Sequence, residues 1–399
     1  MSLSINNNAT ATSNDNISQI FDAIVRFGPI SPSDIAKRIY LDKGIVVACI
    51  QVLLAKSLIA EIQDPRDGEN LVMFKPQTGS VLAVDVGGTK MAGAVVNLAG
   101  DILLEKRIPS CGPNKPLDNL IELLHQLHKE AGAQNLPPLG IGLGVPGVTN
   151  ALGQSVTLAP GLGWHNLNVG QHLWDEFSLP VWIDNDVNVF LRGEHLKGSM
   201  QNVTNGIGIT IGTGIGGSLL INGDIYRGSN GAAGEVGYWA WSLPDERYNQ
   251  QTFGEFESFA SGPGIARRAQ ELLAKEPQAG KTLRELVQNE LEAITAKEIF
   301  AAAQAGDENC LQLIEETAEV LGLVLANLST VLDVQRIVIG GGVAAAGEIL
   351  LEPIRTTIKK ITPYPPQVVQ SSLGYRASII GAAAGFLHRQ GQSHYVSIP

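Results

Sequence analysis

Asp85-Val86-Gly87-Gly88-Thr89-Lys90 places an acid, two glycines, a hydroxyl and a lysine within one short stretch. Glycines let a backbone approach a phosphate closely, and amide N–H groups, Thr89 and Lys90 can then bind it. Asp85 would stand beside that phosphate as a magnesium partner, through water. The alternative is a tight hairpin with a solvated tip. A second glycine cluster, Gly212-Thr213-Gly214-Ile215-Gly216-Gly217, offers a second phosphate loop. A third, Gly340-Gly341-Gly342, can lie flat against an adenine or ribose, or can serve close packing of a helix on a sheet.

Each cluster needs elements to hold it. The apolar runs Val81 to Val84 and Met91 to Leu98 predict a β-hairpin with the first cluster at its bend and a second turn at Ala99-Gly100. Leu117 to Ala131 is an amphipathic helix, and Leu139 to Val145 a glycine-laced strand ending at Pro146-Gly147. Val181 to Ile183 is a short strand that runs out at Asp184-Asn185-Asp186, ahead of a helix from Val187 to Leu196. The hairpin pattern then recurs. Gly206 to Ile211 is a strand, the glycine bend spans 212–217, Ser218 to Ile221 returns, and Asn222-Gly223 turns into Asp224 to Tyr226. This weak internal repeat implies two similar lobes facing each other across a cleft, each with one phosphate loop. Leu311 to Val331 is a long helix, and Arg336 to Ile339 a buried strand leading into the third cluster. Gly381 to Leu387 belongs to a small-residue C-terminal helix expected to pack on the first lobe.

The first eighty residues follow a different plan. Ile17 to Phe27 is helical by periodicity and stops at Gly28-Pro29. Ser31 or Ser33 caps a second helix through Ile39, and a third runs from Lys43 to Lys56. Leu58 to Ile62, a polar turn, and Leu71 to Phe74 complete the order of a winged helix-turn-helix. Its third helix is almost wholly apolar, with Gln51 as the one base-reading candidate, Lys43 as a phosphate contact, and Lys37 and Arg38 nearby. The alternative is a relict module whose apolar helix docks a partner. Pro76 and Gly79 mark a linker into the body.

At 399 residues the chain suits about two or three domains. Its net charge of −11 excludes general nucleic-acid binding, so any DNA contact is a local patch. Cys49, Cys111 and Cys310 show no metal spacing and suit a reducing cytosol. The polar N-terminus lacks a signal-peptide core, and no apolar run is long enough to span a bilayer. A cytoplasmic protein is expected.

A nucleotide held between two such hairpins is the arrangement of the actin, Hsp70 and sugar-kinase superfamily. The whole chain resembles the ROK family of repressors and sugar kinases. The resemblance rests on the winged-helix segment, Asp85 to Lys90, Gly144 to Gly147, Asp184 to Asp186 and Gly212 to Gly217. It continues through Gly234 to Gly237, Glu257 to Gly262 and Ile339 to Gly342. It implies an α/β, actin-like and RNase H-like two-lobed body behind a winged helix-turn-helix. It also implies Asp186 as general base toward a sugar hydroxyl in ATP-dependent phosphoryl transfer. The bland alternative for Asp186 is a helix cap before Val187. Asn185, Glu235 and Glu257 would match sugar ligands. Zinc-containing members carry a His at the position of Tyr238, followed by clustered cysteines. Ser242 to Glu257 holds neither Cys nor His, so no zinc is expected; that His also contacts the sugar in the family, and Tyr238 could donate a hydroxyl to the sugar in its place. Trp164, Trp239 and Trp241 are read as packing residues.

The expected domains are a polar lead (1–15), the winged helix (16–76), one lobe from 80–196 plus 376–399, and a second from 197–375. The expected function is a sugar-responsive, DNA-binding regulator whose body binds sugar and ATP. The alternative is a hexose or amino-sugar kinase using ATP and magnesium, or both at once. A hexose, amino sugar or sugar phosphate, a DNA operator and a second copy of the chain are the expected partners; a membrane is not.

Overall fold

The computed structural model describes residues 13–55, 58–64, 70–75, 78–110, 115–150, 152–240 and 254–393. Lys56, most of the wing turn, Pro76, Cys111, Trp241 and the stretch 242–253 expected to exclude zinc lie outside them.

Among the described residues three helices come first: α1 (Asn14–Phe27), α2 (Pro32–Ile39) and α3 (Lys43–Ala55). Ser31, not Ser33, caps α2, its hydroxyl accepting the Asp34 amide at 3.1 Å. The wing follows as β1 (Ile59–Gln63) and β2 (Asn70–Phe74), paired antiparallel, with Ile30 bridging Val72. Ile17, Ile20 and Ile24 of α1 bury against Ile35 of α2 and against Val46, Cys49, Ile50 and Leu53 of α3. The same apolar cluster takes in Leu98, with Leu139 and Leu387 packed at its margin.

The body continues with β3 (Ser80–Val86), β4 (Lys90–Asn97), β5 (Ile102–Pro109), α4 (Pro116–Ala133) and β6 (Pro138–Val145). A small antiparallel sheet comes next: β7 (Val148–Thr149), β8 (Val156–Ala159) and β9 (Trp164–Leu167). Then come α5 (Val169–Phe177), β10 (Val181–Asn185), α6 (Asp186–Lys197), β11 (Gly206–Ile211), β12 (Ile215–Ile221) and β13 (Asp224–Tyr226). The rest is α7 (Glu255–Ala260), α8 (Gly262–Lys275), α9 (Lys281–Leu286), α10 (Ala296–Gln304), α11 (Glu308–Leu332), β14 (Arg336–Gly340), α12 (Glu348–Ile361), β15 (Gln367–Gln370) and α13 (Arg376–Ser393).

The internal repeat is visible in the sheets. One is ordered β10-β6-β3-β4-β5, the other β13-β12-β11-β14-β15. Each has an antiparallel hairpin, β3 with β4 and β11 with β12, as expected from the two glycine motifs. The second bend is shorter than its glycines suggested. Ile215, Gly216 and Gly217 already belong to β12. A side chain at Gly216 would lie 2.4 Å from Val187, and one at Gly217 2.6 Å from the Gly234 carbonyl, so these two glycines serve packing rather than turning.

The chain divides into two compact units. One comprises Met1–Leu143, Asn168–Ile183 and Ala383–Pro399; the other comprises Gly144–Leu167 and Asp184–Ala382. Sequence reasoning put the lobe boundary after residue 196, whereas the second unit includes all of α6. Val187, Phe190 and Leu191 of that helix bury with Leu220, Ile225 and Val338 of the second unit. The core of that unit otherwise lies between its sheet and α8, α10, α11 and α12.

Helix α13 packs on α6 backbone to backbone. A Cβ at Gly381 would lie 1.7 Å from the Val189 carbonyl oxygen, whereas one at Gly342 would meet nothing within 4 Å. Gly381→Ala is expected to destabilise the protein by roughly 1–3 kcal/mol through overpacking. Gly342→Ala is expected to leave its chemical-denaturation midpoint unchanged.

Candidate functional site

Helix α6 begins where β10 ends, and its cap decides where the acids point. Asn185 is the cap: its Oδ1 accepts the amides of Val187 at 2.9 Å and Asn188 at 3.3 Å. Its Nδ2 donates to the Gly147 carbonyl at 3.0 Å. The capping role that sequence reading offered to Asp186 thus falls to Asn185, because the chain is still extended there. Asp186 is the first helical residue, and its carboxylate accepts its neighbour Val187's amide at 3.0 Å.

In the second unit a cavity of about 320 Å³ is lined by Asn185, Asp186, Glu235, Glu257 and Gly212 to Gly217, with Pro146, Gly147, Val187, Thr210 and Gly341 completing it. Four of the five expected sugar-site residues therefore converge. Tyr238 does not line the cavity and is 68% exposed. It ends a single 3-10 turn, Val236–Tyr238, which carries it outward. Trp239 packs half-buried on the core and Trp164 is buried, as expected for packing residues.

Glu257 joins the acids to the glycine bend. Its Oε2 accepts the Ile215 amide at 2.7 Å. A Cβ at Gly214 would lie 2.5 Å from that same oxygen, so only glycine lets the bend and the acid meet. The bend is closed by the Gly212 amide on the Gly214 carbonyl at 2.9 Å and held to α8 by the Gly262 amide on the Gly212 carbonyl at 2.9 Å.

A larger cavity of about 940 Å³ shares Gly212 and Thr213 with the first. Its walls are largely apolar, including Ile294, Phe300, Val343 and Ala346, with Arg267 and Lys297 among its polar groups. The two last glycines of the third cluster differ in their surroundings. Gly341, at φ +86°, would clash with the Ile211 backbone if it carried a side chain, so it is a packing glycine. Gly342 faces open space and lines the larger cavity.

The first loop belongs to the other unit. Asp85 is half-buried near the end of β3, while Gly88, Thr89 and Lys90 are exposed. The Gly87 amide donates to the Lys90 carbonyl at 3.1 Å. Buried Ser110, which sequence reasoning passed over, holds the loop from behind. Its hydroxyl donates to the Gly87 carbonyl and its amide to the Thr89 carbonyl at 3.0 Å. Its place directly after the third strand of the sheet was the available signal.

On the winged module, Lys43, Gly44, Val47, Gln51 and Ala55 form the exposed stripe of α3. The apolar character of this helix is mostly turned inward, so both expected DNA-facing residues do reach the surface. Lys37 pairs with Asp34 at 3.1 Å, and the Arg38 guanidinium stacks over Phe27 at 4.4 Å.

Crowding of acids sets the electrostatics of the cavity. Burial, then the like charge of Glu235, raises the Asp186 carboxyl to about 7. Burial and Glu257 push Glu235 up; burial pushes Glu257 up against the stabilising Ile215 amide. Unfolded Asp186 loses its proton near its ordinary 3.8, while the folded carboxyl keeps it to about 7. The folded state therefore binds more protons in that window, and stability falls as pH rises through it. Asp186→Asn removes the penalty. The variant is expected to gain on wild type between pH 4 and pH 8 by roughly 2–4 kcal/mol, read from urea unfolding at both ends. A difference independent of pH would refute the assignment.

Comparison with known proteins agrees with this geometry. The ROK family profile matches residues 81–389. A glucokinase of Halalkalibacterium halodurans is 33% identical over 77% of the chain and 92% of its own length. A xylose repressor of Caldicellulosiruptor bescii is 29% identical over 89% of the chain and 91% of its own length. Among solved structures, a ROK glucokinase from Streptomyces griseus in complex with glucose and AMPPNP matches at TM-score 0.67. It is 29% identical, covering 77% of this chain and 98% of its own. A ROK transcriptional regulator, homologue of the E. coli MLC protein, matches at TM-score 0.83 over 95% of this chain and 98% of its own, at 22% identity. The fold is thus the expected actin-like α/β class, with N-terminal helices ahead of the body.

Proposed function

The chain belongs to the ROK family, and on that premise we propose that it is a sugar-responsive, DNA-binding transcriptional regulator with a kinase-like body. The observation that carries this reading is the N-terminal module. The match to the xylose repressor spans 366 residues, against 311 for the glucokinase, which leaves such a module without a counterpart. A phosphotransferase needs no winged helix.

On DNA, α3 is the reading helix. Lys43 would neutralise a phosphate, Gln51 would bond a base edge, and Val47 would cover a thymine methyl. Lys37 and Arg38 lie one helix away as further phosphate contacts. Two copies of the chain would place two such helices on paired half-sites. The effector is a hexose, amino sugar or sugar phosphate, received by Asn185, Asp186, Glu235 and Glu257.

The test is selection of genomic DNA fragments with and without a panel of sugars. Sequence-specific binding that changes with one sugar is expected. Lys43→Ala should weaken binding to all sequences and lower its salt dependence, and Gln51→Ala should relax one position by roughly 1–3 kcal/mol. Absence of specific binding under every condition overturns the reading.

A second reading, ATP-dependent sugar kinase, is favoured by one observation: a carboxyl raised to about 7 faces the sugar cavity beside a glycine bend. Such a group is poised to take a hydroxyl proton at neutral pH. The residues fit ATP. Gly212, Thr213 and Gly214 would cradle phosphate, and the larger apolar cavity with Gly342 has room for an adenosine. Asp85, beside Gly87, Gly88, Thr89 and Lys90, is a hard oxygen donor of the kind magnesium takes. Magnesium supplies charge neutralisation on the phosphates when bound. No zinc is proposed. Among the described residues no helix is long and apolar enough to cross a membrane.

With a hexose panel and ATP, turnover should rise with pH through about 7, and Asp186→Asn should lower it about 100-fold or more. No turnover on any sugar removes this second reading and leaves the first standing.

A further inference from the structure

Two chain segments carry most of the small cavity's acids. One is the β10–α6 junction with Asn185 and Asp186. The other is the loop from Arg227 to Glu235, which leaves β13. Behind the cavity these segments are joined by an ion pair: Arg227 Nη2 donates to Asp184 Oδ2 at 2.5 Å. Neither residue lines the cavity.

Asp184 is only 3% exposed, and both of its oxygens are engaged. Oδ1 accepts the Asn185 amide and the Asn188 Nδ2, each at 2.9 Å. Asn188 in turn accepts the Ser218 hydroxyl of β12 at 2.7 Å. Asp184 therefore grips the start of α6 from below. On the other side, the Ala233 amide donates to the Arg227 carbonyl at 3.1 Å, so the loop is closed on itself at the residue that makes the pair. A second strap, Arg192 of α6 to Asp224 of β13 at 3.0 Å, ties the same two segments one step further out.

Such a tie answers a physical problem. Asp186 and Glu235 are carboxyl groups in one cavity whose ionised forms repel, and Glu235 keeps solvent-exposed surface on a loop. Repulsion would drive the loop outward unless something behind the cavity opposed it. With Asp184 buried and the Arg227 side chain 36% exposed, the pair adds geometry more reliably than stability, because desolvation of the acid offsets its attraction.

We infer that the Arg227–Asp184 pair is a positioning clamp that holds Glu235 and Asp186 at the separation a sugar's neighbouring hydroxyls require. Neither residue touches the sugar. The inference rests on reading the small cavity as the sugar site, and it names what sets that site's geometry.

The test uses the full chain and two measurements. Hydrogen exchange of the loop 227–235 in sugar-free protein reads the clamp directly. Calorimetric titration with glucose, xylose and N-acetylglucosamine reads the site. Arg227→Gln should speed exchange in that loop and weaken the sugar that wild type binds about tenfold to a hundredfold, with Arg227→Lys recovering part of both. Because a single substitution orphans a buried charge, the paired variant Asp184→Asn with Arg227→Gln is measured as well; it leaves neither charge alone and should show the same fast loop and weak binding. Unchanged loop protection in the folded paired variant overturns the clamp. Wild type that binds none of the three sugars counts against the sugar reading instead, and the clamp is then decided by exchange alone.

Discussion

Three carboxylates share a cavity of about 320 Å³, and the second unit is built around that crowding. Like charges in a partly desolvated space cannot all ionise near neutral pH, so the protein must hold them together against repulsion. It does so with contacts that do not depend on the charges. Asn185 spends its oxygen on two helix amides and its nitrogen on Gly147. Glu257 spends one oxygen on the Ile215 amide. Outside the cavity, an ion pair joins Asp184 of β10 to Arg227. The result is a poised acid, Asp186, with hydrogen-bonding neighbours already oriented.

The scaffold that allows this is the repeated hairpin. In each sheet an antiparallel pair ends in a glycine bend, and the strand order around it is the same. In the second unit the bend is tight enough for Glu257 to touch it, because no side chain stands at Gly214. The cavity's acids and the glycine bend therefore meet through one residue, Glu257. The larger cavity begins at Gly212 and Thr213, where the smaller one ends.

The N-terminal module is seated by ordinary hydrophobic burial. Its core runs on into Leu98, Leu139 and Leu387. That continuity also resolves the composition of α3. Val46, Cys49, Ile50 and Leu53 are apolar because they face this core, while Lys43 and Gln51 stand on the exposed stripe. An inventory of the helix made it look depleted for DNA reading; its exposed face keeps both expected residues. Tyr238, where the family resemblance implies a histidine, is exposed and does not line the acids' cavity.

Glycine spacing and apolar periodicity by themselves determined the two hairpins and the winged helix, while Asn185, Asp186, Glu235 and Glu257 were named through the family resemblance. The hairpins and the winged helix follow from local rules: a turn needs glycine, a strand alternates or buries, a helix start needs a cap. What local rules could not decide was which neighbour performs which task. Asn185 rather than Asp186 caps α6, because β10 extends two residues further than its apolar run. Gly216 and Gly217 sit in a strand, because Val187 and Gly234 press against them. Tyr238 leaves the cavity on a single 3-10 turn, and Arg227 reaches Asp184 across 43 residues of chain. The glycine packing and the Arg227–Asp184 pair rest on contacts between residues distant in sequence, and only packing brings such residues within reach of one another.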